Sequence, residues 1–266
     1  MDTYLTTLDE VLDAAGDVLC RYYGESSLAV ETKTSNTDLV TRADKESEAT
    51  IKKILRERYP THEILAEESG LDSLSCSEFR WVIDPLDGTT NFAHGVPIFA
   101  VSIALQSGTE IIAAGVLNPI TKEKFLAEKG GGATLNGKSI HVSAVESLSR
   151  SLLVTGFPYA DRQILHSCLR EIAFFLGKVH GVLRLGAAAL DLCYVACGRL
   201  EVFWQRNLHP WDTAAGWLIA EEAGGKVSDF SGRQFSPYKA ELVCSNGKVH
   251  AEFLQWLRRA HEEAVF

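Results

Sequence analysis

The chain of 266 residues is 46% hydrophobic and 23% charged, which supports a sizeable core in one or two domains and excludes a disordered or fibrous class. A formal net charge of −9 disfavours a polyanionic partner, so no nucleic-acid partner is expected. The acidic N-terminus lacks the basic start of a secretory signal, and apolar stretches fall short of the roughly 20 residues that cross a bilayer; the expectation is a soluble, cytoplasmic protein without membrane contact.

Six cysteines, Cys20, Cys76, Cys168, Cys193, Cys197 and Cys244, are scattered without a C-x-x-C pair and read as buried thiols. Residues 2–23 carry helical periodicity through Leu5, Leu8, Leu12, Ala15, Val18 and Leu19, and residues 42–58 read as a second, heavily charged amphipathic helix. Thr41 with Asp44 three residues on has the pattern of a capping box, which would make Asp44 a capping acid. Short runs of strand composition follow at Glu63–Ala66, Arg80–Asp84, Ala100–Gln106, Ile111–Asn118 and Lys124–Glu128, then a Gly130–Gly132 turn and the hairpin dipeptide Asn136-Gly137.

Near Val145–Ser151 the pattern changes. A strand at Leu152–Thr155 then alternates with helical stretches at Ile164–Leu176, Ala188–Ala196 and Asp212–Ala223. The expected division is an α+β domain over residues 1–146, carrying most of the candidate ligands, and an α/β domain over residues 147–266.

The stretch Trp81-Val82-Ile83-Asp84-Pro85-Leu86-Asp87-Gly88-Thr89-Thr90-Asn91-Phe92 runs an apolar strand into two carboxylates, then into a glycine and two hydroxyl residues suited to starting a helix. Such a junction exposes carboxylates, a carbonyl and free backbone N–H groups on one side, a combination able to hold hard cations and phosphate together. An ordinary Asp-rich turn with a Thr cap has the same local string. Glu67-Glu68 stands at a second strand end, and Asp212 opens a helix, where an N-cap role is equally open.

Taken together, Glu67-Glu68-Ser69, the Asp84 to Phe92 string and Trp211-Asp212-Thr213-Ala214-Ala215-Gly216 resemble the inositol monophosphatase family, and Leu183 to Asp191 resembles the family's segment ahead of its last metal ligand. The likeness covers nearly the whole chain. It implies a layered αβαβα sandwich of the sugar-phosphatase type, usually a homodimer, with two or three Mg²⁺ ions and sensitivity to Li⁺. Carried over by position, it implies metal ligation by Glu67, Asp84, the Leu86 carbonyl, Asp87 and Asp212, and catalysis by Asp44, Thr89 and Glu67 around the attacking water. Substrate contacts are expected from Asp87, Gly88, Thr89, Arg184, Gly186, Ala187, Ala188 and Gln205. The implied activity is hydrolysis of a small phosphorylated alcohol, inositol monophosphate foremost.

One position departs from the pattern: inositol-specific members carry a glutamate where this chain has Gln205, which hydrogen-bonds a hydroxyl without charge assistance. Fructose 1,6-bisphosphate, histidinol phosphate and nucleotide 3′-phosphates therefore stay open as substrates. A metal-binding regulatory protein with little turnover is the reading from a different class. Two other phosphatase chemistries fit poorly. Asp84 and Asp87 stand three apart, whereas a D-x-D-x-T nucleophile loop needs two, and the C-x5-R match at Cys193 to Arg199 lies in an apolar helical run. His209 reads as structural.

Overall fold

Apolar residues recur with the periods that helices and strands require, and in the computed structural model they close three separate cores. Residues 3–24, 30–32, 39–72, 77–158 and 161–263 are described; Cys76 and the Thr41 side chain lie outside them. In chain order the elements are α1 (Tyr4–Tyr22), β1 (Val30–Thr32), β2 (Leu39–Thr41), α2 (Arg42–Arg58), β3 (Glu63–Ala66), β4 (Gly70–Asp72), β5 (Phe79–Asp87), the short α3 (Thr89–Ala93), β6 (Ala100–Ser107), β7 (Glu110–Asn118), β8 (Glu123–Glu128), β9 (Gly132–Leu135), β10 (Lys138–Ser139), β11 (Leu152–Thr155), α4 (Arg162–Phe175), β12 (Gly181–Leu183), α5 (Ala188–Ala196), β13 (Val202–Arg206), α6 (Pro210–Glu222), β14 (Lys226–Ser228), β15 (Glu241–Ser245) and α7 (His250–Glu262).

Eight strands form one sheet in the order β10-β9-β8-β7-β6-β5-β3-β4, and five form another in the order β12-β11-β13-β15-β14. The hairpin between β9 and β10 turns through Asn136 and Gly137, both at positive φ (50° and 74°), as that dipeptide predicts.

Strand alternation sorts side chains between layers. Trp81, Ile83, Val101, Ile103 and Leu105 meet Leu8, Leu12, Leu19, Ile51 and Leu55 of α1 and α2 on one face of the large sheet. On its other face Val82, Ala100, Ala104 and Ala114 meet α5 and α6. Those two helices also pack against Phe203 of the small sheet, whose far face presents Leu153, Val202, Trp204 and Val243 to Phe174 and Phe175 of α4 and to Phe253 and Leu257 of α7. The result is the αβαβα sandwich.

The middle layer is thin because its residues are small. A Cβ added to Gly216 of α6 would lie 2.6 Å from Cβ of Leu192 on α5, so only glycine permits this helix crossing. The division at residues 146/147 remains a proposal, since α5 and α6 of the second half share one core with strands of the first.

Some elements escaped the sequence reading. The strands β13 and β15 and the helix α7 were not anticipated, α4 starts at Arg162 behind an Asp161 cap, and α6 starts at Pro210 instead of Asp212. Cys168, Cys193 and Cys244 are buried as expected, but Cys20 is exposed.

His250, 2% exposed, joins two strands to α7 through Ser228 Oγ (2.9 Å from Nε2) and Ser245 Oγ (2.8 Å from Nδ1). Burial, aided by Lys226, lowers its pKa to about 4 from the ordinary 6.5. The unfolded chain therefore binds a proton that the folded chain refuses between these values. Its contribution is complete above pH 6.5 and is lost as pH falls toward 4, with a slope of up to roughly 1.4 kcal/mol per pH unit. Urea melts across this window should show a shallower pH slope in His250→Gln than in wild type, which separates this residue from carboxylates titrating in the same range.

A second expectation concerns the helix crossing. Gly216→Ala should destabilise the chain by about 1–3 kcal/mol, read from the shift in denaturation midpoint at constant m.

Candidate active site

Asp84 and Asp87 are an odd number of residues apart and in a regular strand would point to opposite faces. A bulge prevents this. Asp84 pairs with Ser102 and Asp87 with Ala100, so Pro85 and Leu86 together oppose the single residue Val101. Pro85 has no N–H to give to the ladder. Leu86 turns into the core under α1 and α2, and both carboxylates face the α5–α6 layer.

There Asp87 meets the start of α5. Its Oδ1 accepts from Ala188 N at 3.2 Å and its Oδ2 from Ala189 N at 2.8 Å, serving as the cap that Ala187, the residue at the N-cap, cannot supply. Asp84 accepts from Leu86 N at 3.0 Å, which shapes the bulge from within.

The site's charges repel one another. Burial first, then Glu67, Asp87 and Asp212, raise the Asp84 pKa well above the usual carboxylate range, with Glu67 also sharing a hydrogen bond. Asp87 is pushed up to about 7 by burial, against the lowering effect of its two amide donors. Glu67 is partly buried just beyond β3, its N–H bound to the Ile83 carbonyl at 3.2 Å. Asp212 sits in the first turn of α6 and its Oδ2 accepts from His209 N at 2.7 Å. Asp212 is thus the third helical residue, reaching back to its own N-cap residue, not the N-cap that one reading suggested. His209 stacks on Trp211 at 4.9 Å, in keeping with a structural role.

Asp44 is fully buried in the first turn of α2, and its Oδ1 lies 3.3 Å from Thr89 Oγ1. The same hydroxyl lies 3.1 Å from the Leu86 carbonyl. Its single proton serves one acceptor at a time. Gly88 precedes it at φ 90°, and a Cβ there would stand 3.0 Å from Ile98 O and 3.2 Å from Gly186 O, so the position requires glycine twice over.

Asn91 donates its side-chain amide to Ile98 O (2.7 Å) and Leu185 O (2.8 Å), tying α3 to the loop that carries Arg184 and Gly186. Gly186 is at φ 92° under the Arg184 guanidinium, which lies 5.5 Å from the Phe157 ring. Gln205 lies on β13 with its amide directly over Gly156, where an added Cβ would come 1.9 Å from Oε1.

Sequence reasoning passed over Gly156, Asn91 as a tie between loops, and Ser47, whose hydroxyl holds the Pro85 carbonyl at 2.9 Å. It also passed over Asp191, 1% exposed, with Oδ1 lacking any hydrogen bond and a pKa held well above the normal range by burial and Asp87. A serine, asparagine or aspartate inside a helix, or a glycine just after a strand, carries no local signal for these contacts.

The donor set of carboxylates and one carbonyl suits hard divalent cations. Among the described residues, no three His, Cys, Asp or Glu side chains are drawn into a finished metal cage; the acids face each other at electrostatic range. Cys193 lies inside α5 with burial pushing its thiol far up, which removes it as a thiolate nucleophile.

The sequence profile of the inositol monophosphatase family matches residues 1–263. An inositol-1-monophosphatase of Synechocystis is 42% identical over 257 residues, covering 97% of this chain and 89% of that protein. The Nus factor SuhB of Pseudomonas aeruginosa is 45% identical over 245 residues, covering 91% and 90%. Among solved structures, the extragenic suppressor protein suhB from Bartonella henselae superposes with a TM-score of 0.91 at 39% identity, covering 95% of this chain and 97% of that one. An inositol monophosphatase from Anabaena gives 0.87 at 39% identity, covering 96% and 95%.

Repulsion among Glu67, Asp84, Asp87 and Asp212 makes cation binding a stabilising event. Millimolar Mg²⁺ at pH 7 should raise the melting temperature by roughly 5 °C, the effect of a ligand present at about a hundred times its Kd. An unchanged melting temperature would remove these residues as a cation site.

Proposed function

The chain belongs to the inositol monophosphatase family and is a phosphoric monoester hydrolase, and from this footing we propose that it releases phosphate from a small phosphorylated polyol, inositol monophosphate foremost. The observation that carries the reading is the set of Glu67, Asp84, Asp87 and Asp212, acids gathered so closely that burial first, and then the charges of the other three, raise the Asp84 pKa well above the usual carboxylate range. Mg²⁺ would be held by these four and by the Leu86 carbonyl. Bound there, two or three ions would supply positive charge against the phosphoryl oxygens and lower the pKa of the attacking water.

The chain's own part is to aim that water. Thr89 has one proton and two acceptors; giving it to Asp44 frees the Leu86 carbonyl and turns the Thr89 lone pairs outward to receive a hydrogen bond from the water. Burial of Asp44 keeps this acceptor dry and its geometry set. Glu67, partly buried beyond β3, reaches the same space and accepts the water's second hydrogen bond. The loop at Arg184, Gly186, Ala187 and Ala188, together with Gly88 and Thr89, receives the phosphate, and Gln205 receives a ring hydroxyl.

No described helix is long and apolar enough to cross a membrane. A cytoplasmic homodimer sensitive to Li⁺ completes the proposal. A second reading rests on the Pseudomonas relative, which is named a Nus factor and not a phosphatase. On that reading the fold also docks on a protein partner, a role that does not need turnover.

Phosphate release should be measured with inositol 1-phosphate, fructose 1,6-bisphosphate, histidinol phosphate and adenosine 3′,5′-bisphosphate, in Mg²⁺ and in EDTA. Release is expected only with Mg²⁺, greatest from inositol 1-phosphate, and lowered at least about a hundredfold in Asp87→Asn. Absence of release from every compound would favour the docking role.

A further inference from the structure

Glu171 is a carboxylate inside α4 with 0% exposure, outside the site described above. Its Oε2 accepts from Trp204 Nε1 at 3.0 Å, and its Oε1 meets His261 Nε2 of α7 at 2.6 Å. Arg206 Nη1 lies 2.5 Å from the same Oε1, a contact of charge without the alignment of a hydrogen bond, and the Arg206 guanidinium also covers the Phe230 ring at 4.3 Å. Breaking a buried ion pair of this kind leaves an uncompensated charge, so such a group is held firmly in place.

Two of the three partners are the chain neighbours of Gln205. Side chains alternate along a strand, and β13 obeys: Val202 and Trp204 pack with α4 and α7, while Phe203 packs with α5 and α6. Gln205 shares the Phe203 face, and Arg206 shares the Trp204 face. One carboxylate behind the sheet thus grips the residues on both sides of Gln205 from the far side. In front, the Gln205 amide fills the space that Gly156 leaves open, and Thr155 Oγ1 donates to the Trp204 carbonyl at 2.6 Å, locking β11 to β13 at the same level.

We propose that Glu171 is a positioning residue for substrate recognition: through Trp204 and Arg206 it sets the height and direction of the Gln205 amide at the hydroxyl-binding side of the site. The proposal rests on the phosphatase reading for Gln205 but on separate observations for the clamp. Glu171 touches no reacting atom. Its removal therefore weakens recognition of a hydroxyl-bearing substrate while sparing the chemistry of phosphate release.

The test compares wild type, Glu171→Gln and the milder Arg206→Met, each shown to be folded by its melting curve, on inositol 1-phosphate and on p-nitrophenyl phosphate, which has no ring hydroxyl. Loss of one well-placed hydrogen bond should raise KM for inositol 1-phosphate about three- to tenfold, with kcat for it and both constants for p-nitrophenyl phosphate held within about twofold. Gly156→Ala, which displaces the same amide from the front, should reproduce the pattern. In a Gln205→Ala background Glu171→Gln should have no further effect on KM. Equal losses on both substrates, or losses that add to those of Gln205→Ala, would overturn the clamp. The side-chain amide signals of Gln205 in ¹⁵N NMR give a readout independent of turnover: they should be dispersed in wild type and collapse toward free-amide positions in Glu171→Gln. If wild type hydrolyses neither compound, the phosphatase reading fails, and unchanged Gln205 signals in the variant then sink the clamp by itself.

Discussion

The two-for-one bulge at Pro85 and Leu86 is the constraint on which the site depends. Without it, Asp84 and Asp87 would face opposite sides of the large sheet, one toward α1 and α2 and the other toward α5. The bulge is held from three directions: Asp84 accepts from Leu86 N, Ser47 holds the Pro85 carbonyl, and Leu86 is buried beneath the outer helices. A proline that cannot join the ladder marks where pairing yields.

From the bulge, order passes to the middle layer. Asp87 reaches across to cap α5, so a carboxylate of the first half of the chain satisfies backbone donors of the second. The layer is thin enough for this because the facing strands present Ala100, Ala104 and Ala114, and because Gly216 lets α6 approach Leu192. Small residues here act on geometry: they bring Asp212 on α6 into electrostatic range of Asp84.

The arrangement trades stability for chemistry. Burial and the nearby charges of Glu67, Asp87 and Asp212 raise the proton affinity of Asp84, and burial raises that of Asp87, so charging these two acids opposes folding, a strain of the kind found where a site is prepared for a ligand. Apolar burial elsewhere, in three cores separated by two sheets, offsets it. The clamp at Glu171 extends the same logic outward, since it uses a buried charge behind the small sheet to hold a neutral amide in front of it.

Much of this was legible beforehand. Periodicity alone delimited α2 and nearly delimited α1, the Asn136-Gly137 dipeptide announced its hairpin, and the acids at element ends that the sequence picks out come within electrostatic range of Asp84, because those signals are local and depend on residue type and spacing. The order of motifs carried the layered architecture as well. The strands β13 and β15 stayed hidden: β13 is buried on both faces and mixes aromatic, amide and guanidinium groups, so it lacks alternation. Gly156, Asn91, Asp191 and Glu171 were silent for another reason. Apart from Ile98 beside Asn91, the neighbours named for them are tens of residues away along the chain, and a carboxylate that meets an indole and a guanidinium from one strand and an imidazole from another helix acquires its role only when those elements pack. The sequence by itself determined which chemistry was present; the tertiary structure decided which groups face one another, because parity at a bulge and contact across layers are properties of the folded chain.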